Sequence, residues 1–281
     1  MNLLLGASGE IGSCLAQRNL YNISDSLTRP ALKDWITGGE DYIRQQLINY
    51  LDGSGNRINI FYCVGNTNPN ASVEELDTLN FELPKSIAKA SMDLPFRLIT
   101  FGSVHEKSKI SNPYMDSKRK FHDFLESQDW NFNWNHFQLH TLYSEKLPKP
   151  YMFLGQMLHA LTTGNKFKMS SGTQLRQFHH TSDVVGAIVS VLPDISVNSV
   201  LQVSSNKSIR LSDLASTIFS LVGELKNLEI GTLSDRENEI YLDSYPISES
   251  LRGLCFRDPI IEIPRIISNS WLPNQLTEYF K

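Results

Sequence analysis

The chain begins with a short apolar run that stops at a glycine, a pattern typical of a buried strand followed by a tight turn. Asn2 to Leu5 is apolar after its first residue, the glycine-rich segment Gly6 to Gly12 follows, and Ile11, Cys14 and Leu15 recur at helical spacing. Apolar residues three and four positions apart indicate one buried helix face. The N-terminus is therefore predicted to form a strand, a turn and a helix.

Similar patterns along the rest of the chain predict an α/β protein. Predicted strands lie at residues 23–29, 58–65, 96–103, 131–142 and 200–203, and predicted helices at 80–90, 114–125, 152–163, 183–192 and 211–222. Strands that alternate with helices favour a parallel sheet covered on both faces. At 281 residues, with 41% hydrophobic residues, the chain is long enough for one large or two unequal domains.

The glycine-rich turn is suited to a phosphate group. Glycines lack a Cβ atom, so they allow a tight turn and let a dinucleotide pyrophosphate approach the first amides of the helix, where the helix dipole favours negative charge. A strand-to-helix turn without any ligand is the alternative. The predicted contacts to the dinucleotide are Gly6, Ser8, Gly9, Glu10, Ile11 and Gly12.

A second motif, Tyr114 and Lys118, is suited to proton transfer. Residues four apart lie on one face of a helix. A free phenol titrates near pH ~10, and a neighbouring ammonium group favours the phenolate and lowers that pKa. The pair therefore predicts an acid/base group, although a tyrosine and a lysine can also fall at this spacing by chance on a solvated helix.

The strand before this helix is predicted to end at Ser103, which places a hydroxyl at the carboxyl edge of the sheet, where open α/β sheets bind ligands. With the glycine turn, these residues make the chain resemble the extended, sugar-nucleotide-modifying branch of the short-chain dehydrogenase/reductases. In that family a hydroxyl polarises a carbonyl, a tyrosine exchanges the proton, and a lysine lowers the tyrosine pKa and holds the nicotinamide ribose. The resemblance implies these catalytic roles for Ser103, Tyr114 and Lys118.

The resemblance also implies the fold and its division. We expect a Rossmann-type doubly wound parallel sheet, formed by residues 1–143 and 179–203, with a smaller, interleaved C-terminal substrate domain formed by residues 144–178 and 204–281. It further implies a homodimer packed through the helices that bear Tyr114 and Asn80.

The chain departs from the family pattern just after the predicted catalytic hydroxyl. The family usually has valine, tyrosine and glycine there, whereas this chain has Val104, His105 and Glu106. Alignment from the start of the strand gives Ser103 as the hydroxyl, alignment backward from Val104 and His105 gives Phe101, and Thr100 is the remaining hydroxyl. His105 is expected at the rim of the substrate pocket, or as an acid/base group on a sugar carbon, since histidine titrates near neutral pH.

Two arginines are predicted to contact the substrate diphosphate. The segment 172–185 resembles the stretch of the family in which an arginine meets nucleotide phosphates, which makes Arg176 a candidate. Residues 235–239 resemble the segment that supplies a second arginine, here Arg236. A guanidinium group donates two parallel hydrogen bonds to phosphate. Either arginine is alternatively an ordinary surface residue.

The residues that end the second strand decide the cofactor. An acidic residue there would bind the adenosine ribose hydroxyls of NAD, whereas an arginine favours the extra phosphate of NADP. Thr28 and Arg29 occupy this place and predict NADPH rather than NADH, although assignment of the role to Asp34 would restore NAD. The segment Val64, Gly65 and Asn66 is expected to pass under the cofactor.

Composition excludes some other classes of protein. A formal net charge of −4 and the lack of a long basic run argue against a nucleic-acid-binding protein. The three cysteines have no metal-ligand spacing, so no metal site is predicted. No export signal or membrane span is evident, so we expect neither a membrane partner nor secretion, but a cytoplasmic protein.

Together these features predict an oxidoreductase. The substrate predicted is a nucleotide-diphosphate-linked 4-keto-6-deoxy sugar, reduced by NADPH as in the abequose synthase-like branch that makes deoxysugars for the lipopolysaccharide O-antigen of bacteria. A sugar-nucleotide epimerase that holds NAD(P) tightly is the alternative within the family. A non-catalytic NADP(H)-binding sensor would keep the glycine turn but would have no use for Tyr114 and Lys118.

Overall fold

The structure, a computed structural model, describes residues 2–17, 23–51, 57–108, 111–127, 129–235 and 248–272. The chain divides into two compact units. The first unit comprises Met1–Leu139 and Ile188–Val203, and the second unit comprises His140–Ala187 and Ser204–Lys281.

Strands and helices alternate along the described residues. The strands are β1 (Asn2–Leu5), β2 (Ile23–Leu27), β3 (Ile58–Tyr62), β4 (Phe96–Ser103), β5 (Asn133–Leu139), β6 (Thr141–Tyr143), β7 (Phe167–Met169), β8 (Leu175–Arg176), β9 (Phe178–His180), β10 (Ser199–Gln202), β11 (Ile209–Arg210) and β12 (Leu228–Ile230). The α-helices are α1 (Glu10–Gln17), α2 (Arg29–Leu51), α3 (Val73–Asp77), α4 (Leu83–Ala90), α5 (Pro113–Glu126), α6 (Phe153–Thr163), α7 (Thr181–Val191), α8 (Leu211–Leu221) and α9 (Pro259–Ile266). None of the helices in the described segments is long and apolar enough to cross a membrane.

The first unit is built on a six-stranded sheet in the order β10-β5-β4-β3-β1-β2. All neighbouring strands of this sheet are parallel. The chain runs from β1 to β2 on one side and then crosses to β3 on the other side of β1, so the order reverses between β1 and β3. Ligands bind at such a switch point, beyond the carboxyl ends of the strands. The predicted Rossmann-type parallel sheet is therefore confirmed.

The central strands form the core of this unit. Ile58, Ile60 and Phe61 in β3 and Leu3 to Leu5 in β1 are fully buried. Strands that are covered by helices on both faces have continuous apolar runs of this kind rather than alternating ones. The ends of β1 and β3 are therefore anchored by strands whose side chains are packed in the core.

Three predicted strand limits were wrong. The predicted strand 58–65 ends at Tyr62. The predicted strand 131–142 is divided at His140, because β4, the partner of β5, ends where Ser103 pairs with Leu139, and β6 pairs with β9 instead. The predicted strand 23–29 ends at Leu27, and Arg29 begins α2. Proline has no N–H to donate and its fixed backbone angle suits a first helical turn, so Pro30 favours the helix at this point.

The second unit has its own core, and its described residues form three small sheets. The sheets pair β6 with β9, β8 with β11, and β7 with β12. Residues of α6, α8 and α9 pack together with them, and Met157, Leu214, Ile218, Phe219 and Ile263 are fully buried.

We predict that His179 in this unit makes folding stability depend on pH. Its side chain is fully buried and stacks on Phe256, with ring centroids 4.8 Å apart. Burial lowers the pKa of His179 from 6.5 to about 4. As the pH falls below 6.5, His179 becomes protonated in the unfolded chain, whereas in the folded chain it stays neutral until about pH 4. The free energy of unfolding therefore decreases through this window by on the order of 3 kcal/mol.

Urea unfolding of wild type and of His179→Gln between pH 4 and pH 7 tests this prediction. The variant should lose part of the pH dependence. His159→Gln, at an exposed position on α6, is the control and should keep the wild-type slope. Equal slopes for wild type and His179→Gln would contradict the assignment.

Candidate functional site

The glycine turn is shaped by close contacts between backbone segments. Gly6 follows β1 with φ of +87°, and a Cβ atom there would lie 2.8 Å from the backbone of Cys63, which follows β3. A Cβ atom on Gly12 would lie 2.1 Å from the carbonyl oxygen of Gly6. The turn is closed by a hydrogen bond from the Gly9 N–H to that oxygen, at 3.0 Å. Gly6 and Gly12 therefore have no room for a side chain, and the closed turn places the start of α1 at the switch point.

The other predicted residues of the turn lie at the N-terminus of α1. Glu10 and Ile11 are its first two residues and are half-buried, and Ser8 just before them is exposed. The first backbone N–H groups of a helix have no partner within the helix and attract anions. The turn therefore has the space and the donors that a pyrophosphate group requires.

The segment after β3 is held by an asparagine that the sequence did not single out. Asn80 lies in a single π-helical turn, Thr78–Glu82, and is 2% exposed. Its side chain accepts from the Asn66 N–H at 3.1 Å, donates to the Asn66 carbonyl at 3.0 Å, and donates to Ser117 Oγ in α5 at 3.0 Å. Val64, Gly65 and Asn66, predicted to pass under the cofactor, are thereby tied to the helix that carries Tyr114 and Lys118.

Helix α5 begins where its sequence allows. The Asn112 side chain caps it by accepting from the Met115 N–H at 2.9 Å, and Pro113 is its first residue. Tyr114 and Lys118 lie one turn apart on this helix and are half-buried.

Lys118 points toward the carboxyl ends of the central strands. Its Nζ donates to the Phe101 carbonyl at 3.0 Å, and a Cβ atom on Gly65 would lie 3.6 Å from Nζ. Burial lowers the pKa of the Lys118 ammonium, and the negative charge of Glu106 opposes that shift. The Lys118 amino group is thus held between the ends of β3 and β4, one helical turn from the Tyr114 phenol.

The structure distinguishes between the candidate hydroxyls. Thr100 is 2% exposed, and its Oγ1 lies 2.7 Å from His136 Nδ1, so it is committed to an internal contact. Phe101 has no hydroxyl. Ser103 is the last residue of β4 and is half-buried, with Oγ accepting from the His105 N–H at 3.2 Å. Ser103 is therefore the hydroxyl with access to the edge of the sheet.

The residue two positions past Ser103 is part of the same loop. His105 is half-buried, and its carbonyl accepts from the N–H and the hydroxyl of Ser108 at 2.9 and 2.7 Å. These bonds fix its backbone. Whether its side chain acts on a sugar stays a prediction.

Beneath this loop lies a buried carboxylate, Glu106, which the sequence analysis did not identify. It is completely buried. Its Oε1 accepts from the Ser103 N–H at 2.9 Å, and its Oε2 lies 3.0 Å from His136 Nε2 and 3.1 Å from Gln138 Nε2. Burial raises the pKa of Glu106, but His136, the Ser103 N–H and Lys118 together hold it below its usual range, so the group is a carboxylate.

A signal for this cluster is present in the sequence. His136 and Gln138 are two apart on β5 and so share one face of the strand. His122 follows Lys118 by four residues and is completely buried. A histidine one turn beyond a predicted catalytic lysine, on the same helix ridge, indicates a polar cluster behind the site.

The predicted cofactor-selecting residues lie at the start of α2. Thr28 is exposed, and its carbonyl accepts from the Leu32 N–H at 3.0 Å, so it precedes the first turn that Arg29 begins. Asp34, the alternative, is an exposed residue inside α2 and not at the end of β2.

Of the two predicted phosphate-binding arginines, the structure describes Arg176. Arg176 is in β8 of the second unit, where it is half-buried and donates from Nη1 to the Leu175 carbonyl at 2.7 Å. Arg236 lies outside the described residues. Its neighbour Asp235 accepts from the Ser171 N–H at 3.1 Å and from the Ser171 hydroxyl at 2.9 Å.

Part of the chain and the fold as a whole match known proteins. Residues 100–203 match the NAD dependent epimerase/dehydratase family, and no curated protein matches the chain by sequence at a significant level. A UDP-glucuronic acid 4-epimerase from Bacillus cereus, solved with UDP-glucuronic acid and NAD, has a TM-score of 0.76 at 15% identity, over 98% of this chain and 100% of that one. A double mutant of dTDP-glucose 4,6-dehydratase from Streptomyces venezuelae, solved with NAD, has a TM-score of 0.73 at 16% identity, over 98% and 97%.

A third similar structure is a UDP-glucose 4-epimerase from Thermotoga maritima, solved with UDP-glucose. Its TM-score is 0.71 at 14% identity, over 96% of this chain and 97% of that one. At such identities structural likeness establishes the fold. The chain therefore has the fold of these three structures over nearly its whole length.

Proposed function

We propose that the chain is a nicotinamide-dependent oxidoreductase of sugar nucleotides, and that it reduces a nucleotide-diphosphate-linked 4-keto-6-deoxy sugar with NADPH. The observation that carries this proposal is the position of Tyr114 and Lys118. They share one face of α5, and Lys118 Nζ is held at the Phe101 carbonyl, at the carboxyl edge of the sheet whose switch point bears the glycine turn.

The residues of the site have the chemistry that a carbonyl reduction needs. When bound, the nicotinamide supplies a hydride to the carbonyl carbon. The Tyr114 hydroxyl gives its proton to the carbonyl oxygen, and the resulting phenolate regains a proton from solvent. Lys118 stabilises that phenolate by its positive charge, and Ser103 donates a hydrogen bond to the same oxygen, where negative charge develops.

The substrate class is supported by the family profile over residues 100–203 and by the similar structures, which were solved with UDP sugars or NAD. Arg176 is the residue that we propose for the diphosphate, because its planar fork donates in parallel to phosphate oxygens. Arg236 stays a prediction for the same group. A cytoplasmic location and a homodimer also stay predictions.

A 4-epimerase is the second candidate, and a specific observation favours it: two of the three similar structures described above are 4-epimerases. Such an enzyme would return the hydride to the same sugar and would release no oxidised cofactor.

Incubation with a panel of CDP-, GDP- and dTDP-linked 4-keto-6-deoxy sugars and 4-deuterated NADPH distinguishes the two candidates. A reductase oxidises the cofactor and places deuterium on the sugar. An epimerase leaves the NADPH absorbance unchanged, carries bound cofactor through purification and inverts an added UDP-hexose. The absence of both activities would contradict the proposed function.

We predict that Tyr114→Phe lowers kcat by about 10²- to 10⁴-fold, because it removes the proton donor and keeps the ring. The Kd for NADPH, measured by fluorescence titration, should stay close to wild type. Tyr42→Phe, at a 39% exposed position on α2, is the matched control and should keep wild-type kcat. Unchanged turnover in Tyr114→Phe would eliminate Tyr114 as the proton donor and revive a non-catalytic sensor.

We also predict that Arg29→Ala weakens NADPH binding by about 10- to 100-fold and leaves NADH binding unchanged, since only NADPH carries the additional phosphate. Lys33→Ala removes an exposed positive charge one turn further along α2 and should change neither Kd. Calorimetric titration with both cofactors measures these constants. Tighter binding of NADH than of NADPH by the wild-type chain would overturn the predicted preference.

A further inference from the structure

Three buried ligand groups converge behind the candidate site. Glu106, His122 and His136 are each at most 1% exposed, and one potential metal-ligand atom from each lies within 4.8 Å of the others. Glu106 Oε2 is 3.0 Å from His136 Nε2 and 3.6 Å from His122 Nδ1. Zinc–nitrogen distances of 2.0–2.1 Å in a tetrahedral site put neighbouring ligand atoms about 3.3 Å apart, a value between these two.

Other residues hold the outer atoms of His136 and Glu106, and a carboxylate lies beside the outer nitrogen of His122. His136 Nδ1 lies 2.7 Å from Thr100 Oγ1, and Glu106 Oε1 accepts from the Ser103 N–H. His122 Nε2 is 3.1 Å from a carboxylate oxygen of Glu126. Metal-binding histidines typically have their second nitrogen held by a hydroxyl, carbonyl or carboxylate in this way.

Protein groups alone leave this cluster unsatisfied. Although His122 Nδ1 and Nε2 lie near two carboxylates, neither has a hydrogen bond of acceptable geometry to any described residue. A buried polar group without a partner lowers the stability of the fold, and native proteins keep such groups where an ion or a function accounts for them.

The surroundings of His136 allow its ring to act as a ligand. Thr100 Oγ1 lies 2.7 Å from His136 Nδ1 and 3.4 Å from the Asn135 carbonyl oxygen. In the tautomer with its proton on Nδ1, that N–H donates to Thr100, the Thr100 hydroxyl donates to Asn135, and the Nε2 lone pair is available to a cation.

We propose that Glu106, His122 and His136 bind a divalent cation of the zinc class in a closed, structural site. Gln138 Nε2 lies 3.1 Å from the same Glu106 oxygen, and Gln138 Oε1 accepts from Gln202 Nε2 at 3.0 Å. With both amides turned end for end, Gln138 would donate to Gln202 and would present its own Oε1 as the fourth ligand. The proposal is independent of the proposed reaction.

Charge and space both suit the ion. Glu106 neutralises one of the two charges of a divalent cation, and the Glu126 carboxylate, which is also paired with Lys107, lies beyond His122. Gly102 lacks the Cβ atom that would lie 2.1 Å from Glu106 Oε1 and 2.2 Å from His136 Nε2, so the ligands can converge.

The ion would join three elements that carry the candidate site. Its ligands come from α5, from β5 and from the loop that follows β4, and the same loop and helix carry Ser103, Tyr114 and Lys118. Because the ligands are buried, the ion would enter as the chain folds, and its binding free energy would add to the stability of the fold.

Metal content and cobalt substitution test the proposal on the full, untagged chain. Mass spectrometry of protein from zinc-supplemented cells should find about one zinc ion per chain. Unfolding in chelator and refolding with Co²⁺ should give the visible bands of tetrahedral cobalt without a thiolate charge-transfer band, which separates this site from the free cysteines. Refolding with Zn²⁺ should raise the melting temperature by roughly 5 °C or more over the metal-free chain.

A matched pair of variants locates the site. His122→Gln should lose the metal and the cobalt bands, whereas His159→Gln, at an exposed histidine on α6, should keep both. Should His122→Gln fail to fold, the cobalt spectrum and metal content of the wild-type chain decide alone. Absence of metal after refolding with Zn²⁺, a thiolate band, or full retention of metal by a folded His122→Gln chain would each overturn the proposal.

Discussion

The buried carboxylate of Glu106 is the constraint on which the candidate site depends. A charge in the protein interior is tolerated when it is paired and hydrogen-bonded, and here the Ser103 N–H, His136 and Gln138 supply the partners. Gly102 leaves the space that the carboxylate occupies. The end of β4, the middle of β5 and one face of α5 are therefore held at fixed separations, and the predicted hydroxyl, phenol and ammonium groups lie on these same elements.

A second constraint acts at the switch point of the sheet. Because β1 lies between β2 and β3, the turn after β1 meets the chain that leaves β3, and Gly6 has no room for a side chain against the Cys63 backbone. Gly12 has none against the Gly6 carbonyl. The strand order thus places the first amides of α1 beside the ends of the central strands, so that the predicted phosphate-binding turn and the predicted proton-transfer residues lie at one edge of the sheet.

The two units make different contributions to the proposed function. The first unit holds the glycine turn and the acid/base residues on a sheet whose core is buried on both faces. The second unit has a separate core and carries Arg176 on a short strand. It carries none of the predicted catalytic residues. The predicted cofactor-binding residues are therefore in the first unit, whereas Arg176, which we propose for the substrate diphosphate, is in the second.

The sequence by itself determined the features that depend on near neighbours: the glycine turn, and the helix that puts Tyr114 and Lys118 on one face. It left the hydroxyl open, and only the folded strand decided between Thr100, which is buried against His136, and Ser103, which reaches the edge. It also missed the division of residues 131–142, because a strand ends where its partner ends. The cluster of Glu106, His122 and His136 was hidden for the same physical reason: its members come from three elements and meet only when the tertiary structure packs those elements together.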